Sequence, residues 1–83
     1  MRPNDPNTLD SRALAFLKLG HWSAAIADYD TVLSIKPDLA SALYGRGIAR
    51  RRGGDDDGAA RDIAAARAIN AEIAETFVSY DVR

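Results

Sequence analysis

Slid along itself by 34 residues, the chain matches at Pro3 and Pro37, Leu9 and Leu43, Arg12 and Arg46, Ala15 and Ala49, Gly20 and Gly54, Ala25 and Ala59, Asp28 and Asp62, and Ile35 and Ile69. Small or apolar residues recur at the same offset in Ala13 and Gly47, Leu14 and Ile48, Tyr29 and Ile63, and Val32 and Ala66. A fixed period in this range marks a stacked repeat, in which each unit is too small to bury its own apolar side and leans on its neighbour. At 83 residues the chain has room for two such units in a single domain.

Inside each copy the apolar residues step by three and four, as on the face of a helix, with none of the alternation of a strand. In copy one these are Leu9, Ala13, Phe16 and Leu17, then Trp22, Ala25, Ile26, Tyr29, Val32 and Leu33. Each copy therefore reads as two helices. Gly20 ends the first, where a left-handed residue suits glycine, and Ser23 is placed to cap the second after the short His21-Trp22 link. So short a link makes an antiparallel pair. Pro37 stops the second helix, Asp38 is placed to cap the third, and Gly53 to Gly58 form the next turn. A fourth helix runs to about Asn70. A fifth, from about Ala71 to Tyr80, puts Ile73, Phe77 and Tyr80 on one face, ready to cover the fourth.

Composition narrows the chemistry. Hydrophobic residues make up 47% and charged residues 28%, which fits a folded globular chain. There is no cysteine and one histidine, His21, so disulfides and thiolate metal sites are excluded. A formal net charge of -1 gives no field that would draw the chain to nucleic acid or an anionic membrane. No apolar run approaches the roughly 20 residues of a membrane span, and the start of the chain lacks the apolar core of a signal peptide. A cytoplasmic location is expected, with a trimmed targeting segment left open.

These residues resemble the tetratricopeptide repeat, whose signature is a large residue, a small one four on, an aromatic three later, then an alanine, an aromatic and a proline. Leu9, Ala13, Phe16, Ala25, Tyr29 and Pro37 fill those places, with Gly20 and Trp22 at the usual turn. Copy two supplies Leu43, Gly47, Gly54, Ala59, Ile63 and Ala66, and departs from the pattern with Arg50 for the aromatic and Ala71 for the proline. The resemblance implies an all-α helix-turn-helix repeat solenoid of five helices: repeat one over 6–39, repeat two over 40–70, and a capping helix and tail over 71–83. Pro3 to Pro6 look like a repeat-closing turn, which leaves open a further repeat upstream.

In this family the first helix of each pair lines a concave groove, so the resemblance implies a protein-binding scaffold that holds a peptide or helix there. The residues it places on that face are Asp10, Leu14, Leu17 and Lys18 in copy one, and Tyr44, Ile48, Arg51 and Arg52 in copy two. Val78 of the fifth helix joins them. The asparagine and lysine clamp by which some members hold a carboxylate is missing, its places being taken by Ser11, Leu14, Gly45 and Ile48. An apolar or amphipathic segment is the expected ligand, the apolar groove residues either binding it or packing on the fifth helix. The alternative is a structural cap that self-associates as a homodimer, because two alanine-rich repeats bury little area.

Sharper chemistries find less support. Arg50 to Arg52 and Asp55 to Asp57 flank a helix-helix turn, where cations suit the helix end and anions the helix start. Matched to a calcium loop by its glycine, Asp55-Asp56-Asp57-Gly58 puts Gly53 at the first ligand position and Ala64 in place of the bidentate glutamate. Phe16, Trp22 and Tyr29 have the spacing of core residues, not of a base-stacking platform. No acid, base and nucleophile converge, so neither enzyme activity nor a cofactor or metal is expected.

Overall fold

The computed structural model describes residues 5–80, and five helices follow one another along them: α1 (Pro6–Lys18), α2 (Trp22–Ile35), α3 (Ala40–Arg52), α4 (Asp56–Ile69) and α5 (Ile73–Ser79). No strand occurs among the described residues. Pro3 and Asn4 of the expected repeat-closing turn, and the tail over 81–83, lie outside them. Helices α1 and α2 form one antiparallel hairpin and α3 and α4 a second, while α5 packs against both α3 and α4.

Both hairpin turns are built alike. After α1 the Gly20 N–H donates to the Leu17 carbonyl and the His21 N–H to the Phe16 carbonyl, at 3.2 and 2.9 Å. After α3 the Gly54 N–H donates to Arg51 and the Asp55 N–H to Arg50, at 3.2 and 2.7 Å. This paired closure of the last carbonyls requires a left-handed residue between the two donors. Gly20 and Gly54 provide it, with φ of 79° and 100°.

The caps differ from those expected at two helix starts. Helix α2 begins at Trp22 with His21 at the cap position, and α3 at Ala40 with Leu39 there, neither having a side-chain cap bond. Ser23 already lies inside α2, because the Gly20 closure turns the chain into helical geometry by Trp22. Asp38 sits one residue too early for α3, because the half-buried Leu39 packs against the core and fixes the entry. Helices α1 and α4 are capped by side chains, Asp5 accepting from the Asn7 N–H and Asp55 from the Gly58 N–H.

The core runs through the middle of the stack, and its largest fully buried side chains are Tyr29, Phe77, Ile48 and Val32. Alanines 13, 25, 42, 49 and 66 are fully enclosed, which lets the helices approach closely. Phe16 and Trp22 lie at its edge, half-buried and packed against it, so the core placement expected of them is met only on one side. Phe77 seats α5 by packing its ring on Tyr44, with centroids 4.9 Å apart.

Each hairpin carries the same ion pair. Arg12 grips Asp28 through Nε and Nη2 at 2.7 Å each, and Arg46 grips Asp62 through Nε and Nη2 at 2.9 Å each. These are forked guanidinium-carboxylate contacts, stronger and more directional than a single bond. Copy two extends the pair into a network, with Arg50 donating to Asp62 at 2.8 Å and Arg46 reaching across to Asp30 of the first hairpin at 2.9 Å. The acids of both pairs are buried, so each fork compensates a desolvated carboxylate.

The hairpins meet where Tyr29 lies over Gly45: a Cβ added at Gly45 would strike the Tyr29 ring and hydroxyl. Replacing a mid-helix glycine by alanine ordinarily gains up to about 1 kcal/mol of helix propensity. Gly45→Ala is instead expected to lose on the order of 1–2 kcal/mol net, since a buried ring must be displaced. Chemical denaturation checks the sign, and a stabilised variant would mean that the hairpins can part without penalty.

Candidate functional site

Helix α3 packs against α1 and α5, and the face these helices share is the one the family resemblance assigns to the concave groove. The mixed spacing of the sequence puts polar and apolar residues on it together. A pocket of about 240 Å³ opens there. Asp10, Ser11 and Leu14 of α1 form one wall, Ser41 of α3 and Tyr29 of α2 the floor, and Phe77 and Tyr80 the far side. Tyr29 is only 1% exposed, so its contribution is a rigid base, while Tyr80 at the rim is 38% exposed.

Asp10 is the charged group of this pocket. Its carboxylate accepts one side-chain hydrogen bond, from the Ser41 hydroxyl at 3.4 Å. Burial pushes its pKa above the ordinary 3.8, and the Ser41 bond offsets this in part. Burial likewise raises the Tyr29 hydroxyl well above its usual range, with the charges of Asp10 and Tyr80 adding to the effect. The tyrosine therefore stays protonated.

The residues expected on this face separate into three groups. Asp10 and Leu14 line the pocket, and Val78 of α5 does not line it and is 49% exposed. Lys18, Arg51 and Arg52 are exposed, and none of them lines the pocket. Leu17, Tyr44 and Ile48 are corrections, being buried at 2%, 9% and 1% exposure. Helix α3 is flanked by α1 on one side and α5 on the other, and Phe77 covers Tyr44, so the apolar centre of the groove is spent on packing.

Three pocket residues, Tyr29, Phe77 and Tyr80, read from sequence as core or cap. The signal that places Tyr29 is the pairing of a large aromatic with a glycine across neighbouring helices, visible only once the register of α2 against α3 is known. Of the alternative chemistries, the arginine and aspartate runs are used structurally: Arg50 is tied to Asp62, and Asp55 caps α4. His21 is exposed and stacks on Phe16 with centroids 6.0 Å apart. Among the described residues no group of three or more histidines and acids could hold a metal ion, and no helix is long and apolar enough to cross a membrane.

Comparison with known proteins agrees with this geometry. A family model described as TPR repeat matches residues 13–54. Tetratricopeptide repeat protein 13 of Homo sapiens is 38% identical over 56 residues, covering 65% of this chain and only 6% of that protein. No solved structure gives a significant match.

The raised pKa of Asp10 carries a stability consequence with a definite sign. The folded state holds the Asp10 proton more tightly than the unfolded state, so stability falls as pH rises from about 3.8 through the folded pKa. Above that pKa the charged carboxylate is a standing destabilisation, and Asp10→Asn removes it. The variant is expected to melt above the parent near neutral pH and to lose this advantage once the pH drops below 3.8. Paired melting curves at the two conditions check it; equal melting temperatures at neutral pH contradict the burial account.

Proposed function

The chain belongs to the tetratricopeptide repeat family of protein-protein interaction modules, and from that premise we propose that its concave face takes up a short amphipathic helix or peptide of a partner. The observation that carries this reading is the coexistence of open apolar surface and an open pocket on one face. Leu14 and Tyr80 line the pocket with Asp10 and Ser41, and exposed Val78 of α5 is taken to extend their apolar ledge, which suits a helix that presents apolar anchors with polar residues between them. Affinity in this mode comes from a few large side chains entering the hollow. Its central residues are buried already, so the contact centres on the edges offered by α1 and α5.

Two substitutions separate binding from folding. Val78→Glu places a charge on the exposed ledge and is expected to weaken capture of an amphipathic helical peptide about tenfold or more while leaving the melting curve in place. Ile48→Ala acts in the core and is expected to cost roughly 2–5 kcal/mol of stability. Calorimetric titration with denaturation of both variants checks the division; unchanged peptide affinity in Val78→Glu argues against this face.

Self-association is a second reading, supported by Arg12. Its side chain is 58% exposed, against 19% for Arg46. The contrast follows from Asp30, which the first hairpin lends to Arg46. Arg12 holds Asp28 and, among the described residues, no second acid. A second copy that brings a carboxylate-bearing helix against α1 would complete the pattern. Sedimentation at tens of micromolar is expected to show a dimer, and a lone 8.9 kDa species under those conditions sinks this reading.

A further inference from the structure

The concave pocket has a chemistry that a purely apolar ligand leaves unused. Its volume of about 240 Å³ lies below the roughly 300–1,000 Å³ of small-molecule sites, which makes it a receptacle for one side chain. Its rim is aromatic, Phe77 and Tyr80 meeting edge to face with centroids 5.5 Å apart. Inside stands the Asp10 carboxylate, whose one side-chain donor among the described residues is the Ser41 hydroxyl at a long 3.4 Å.

The two buried acids among the described residues are treated differently. Asp28 is gripped by Arg12, and Asp62 by Arg46 and Arg50. Among the described residues no lysine or arginine pairs with Asp10. A partly desolvated carboxylate favours a cation or several donors, and among the described residues this one has a single weak side-chain donor. Aromatic rings beside an uncompensated carboxylate attract an organic cation twice over, through the ring quadrupole and through the full charge.

We propose that this pocket receives the basic end of a lysine or arginine side chain carried by the partner segment. The assignment rests on the concave face being the binding face and adds a charge requirement at one position of the ligand. An apolar segment without a basic residue would fill the ledge and leave Asp10 desolvated and unpaired.

The test uses the full chain, isotopically labelled and followed by NMR, with two small probes of matched length: N-acetyl-lysine methylamide and N-acetyl-norleucine methylamide. The lysine probe is expected to shift the amides of Ser11, Leu14, Ser41 and Tyr80 saturably, and to bind about tenfold more tightly than the norleucine probe. In Asp10→Asn that preference is expected to shrink to about twofold or less, while the variant melts no lower than the parent, so lost folding is not the cause. Equal affinity for the two probes overturns the proposal. So does a preference that survives in Asp10→Asn, or a lysine probe that shifts none of these amides. Capture of an amphipathic peptide, lost in Val78→Glu, would still stand in those cases, so the pocket assignment and the binding face fail separately.

Discussion

Tyr29 lying across Gly45 is the contact on which the stack depends. It is where the second helix of one hairpin meets the first helix of the next, and it admits no side chain on the α3 side. A glycine in mid-helix weakens that helix, by roughly 1 kcal/mol relative to alanine, and here the loss is offset by burial of a whole aromatic ring. The same ring forms the floor of the concave pocket. Inter-hairpin spacing and pocket depth are therefore set by one pair of residues, and neither can change without the other.

Charge fixes what packing leaves loose. Alanine-rich helices slide past one another easily, because fully enclosed small residues such as Ala13, Ala49 and Ala66 make few shape-specific contacts. The forked pairs Arg12 with Asp28 and Arg46 with Asp62 bind the two helices of each hairpin in one register, since a guanidinium meets a carboxylate in a narrow range of geometries. Arg46 then reaches Asp30 and ties the hairpins together as well. Net energy from such buried pairs is modest once desolvation is counted, and their stronger effect is to disfavour slipped arrangements that would strand a buried charge.

Much of this fold was legible in the sequence because its punctuation is local. Gly20 and Pro37 end helices by their own backbone chemistry, and the 34-residue offset aligns the copies without reference to anything distant. The caps at Ser23 and Asp38 were misplaced because a helix start also depends on what precedes it, here the Gly20 closure and the anchored Leu39. The ion pairs left a trace in the sequence, both partners recurring at the same offset, but which acid each arginine meets follows only from the register of the two helices in each hairpin. Site residues were harder. Leu14 and Ile48 occupy equivalent positions, and helical spacing treats them alike, yet Leu14 lines an open pocket and Ile48 is enclosed. The difference lies in neighbours: α3 packs against α1 on one side and α5 on the other, whereas α1, beyond its hairpin partner α2, has only α3 beside it among the described residues.

Helix α5 decides what the concave face can offer. Phe77 falls one period after Leu43 and two after Leu9, so α5 continues the series of first helices and presents its apolar side where another hairpin would. In doing so it consumes Tyr44 and supplies Val78 and Tyr80 in exchange. The exchange leaves exposed apolar surface at the margin of the stack and puts Phe77 and Tyr80 in the pocket that holds Asp10. On the proposed binding face a segment would meet Asp10 with Phe77 and Tyr80 lining the same pocket, where the sequence pattern had placed a mixed surface, apolar through Leu17 and Ile48 and basic at one edge. Selectivity of such a face follows from that substitution: apolar area favours many ligands about equally, whereas a desolvated charge discriminates between those that can neutralise it and those that cannot.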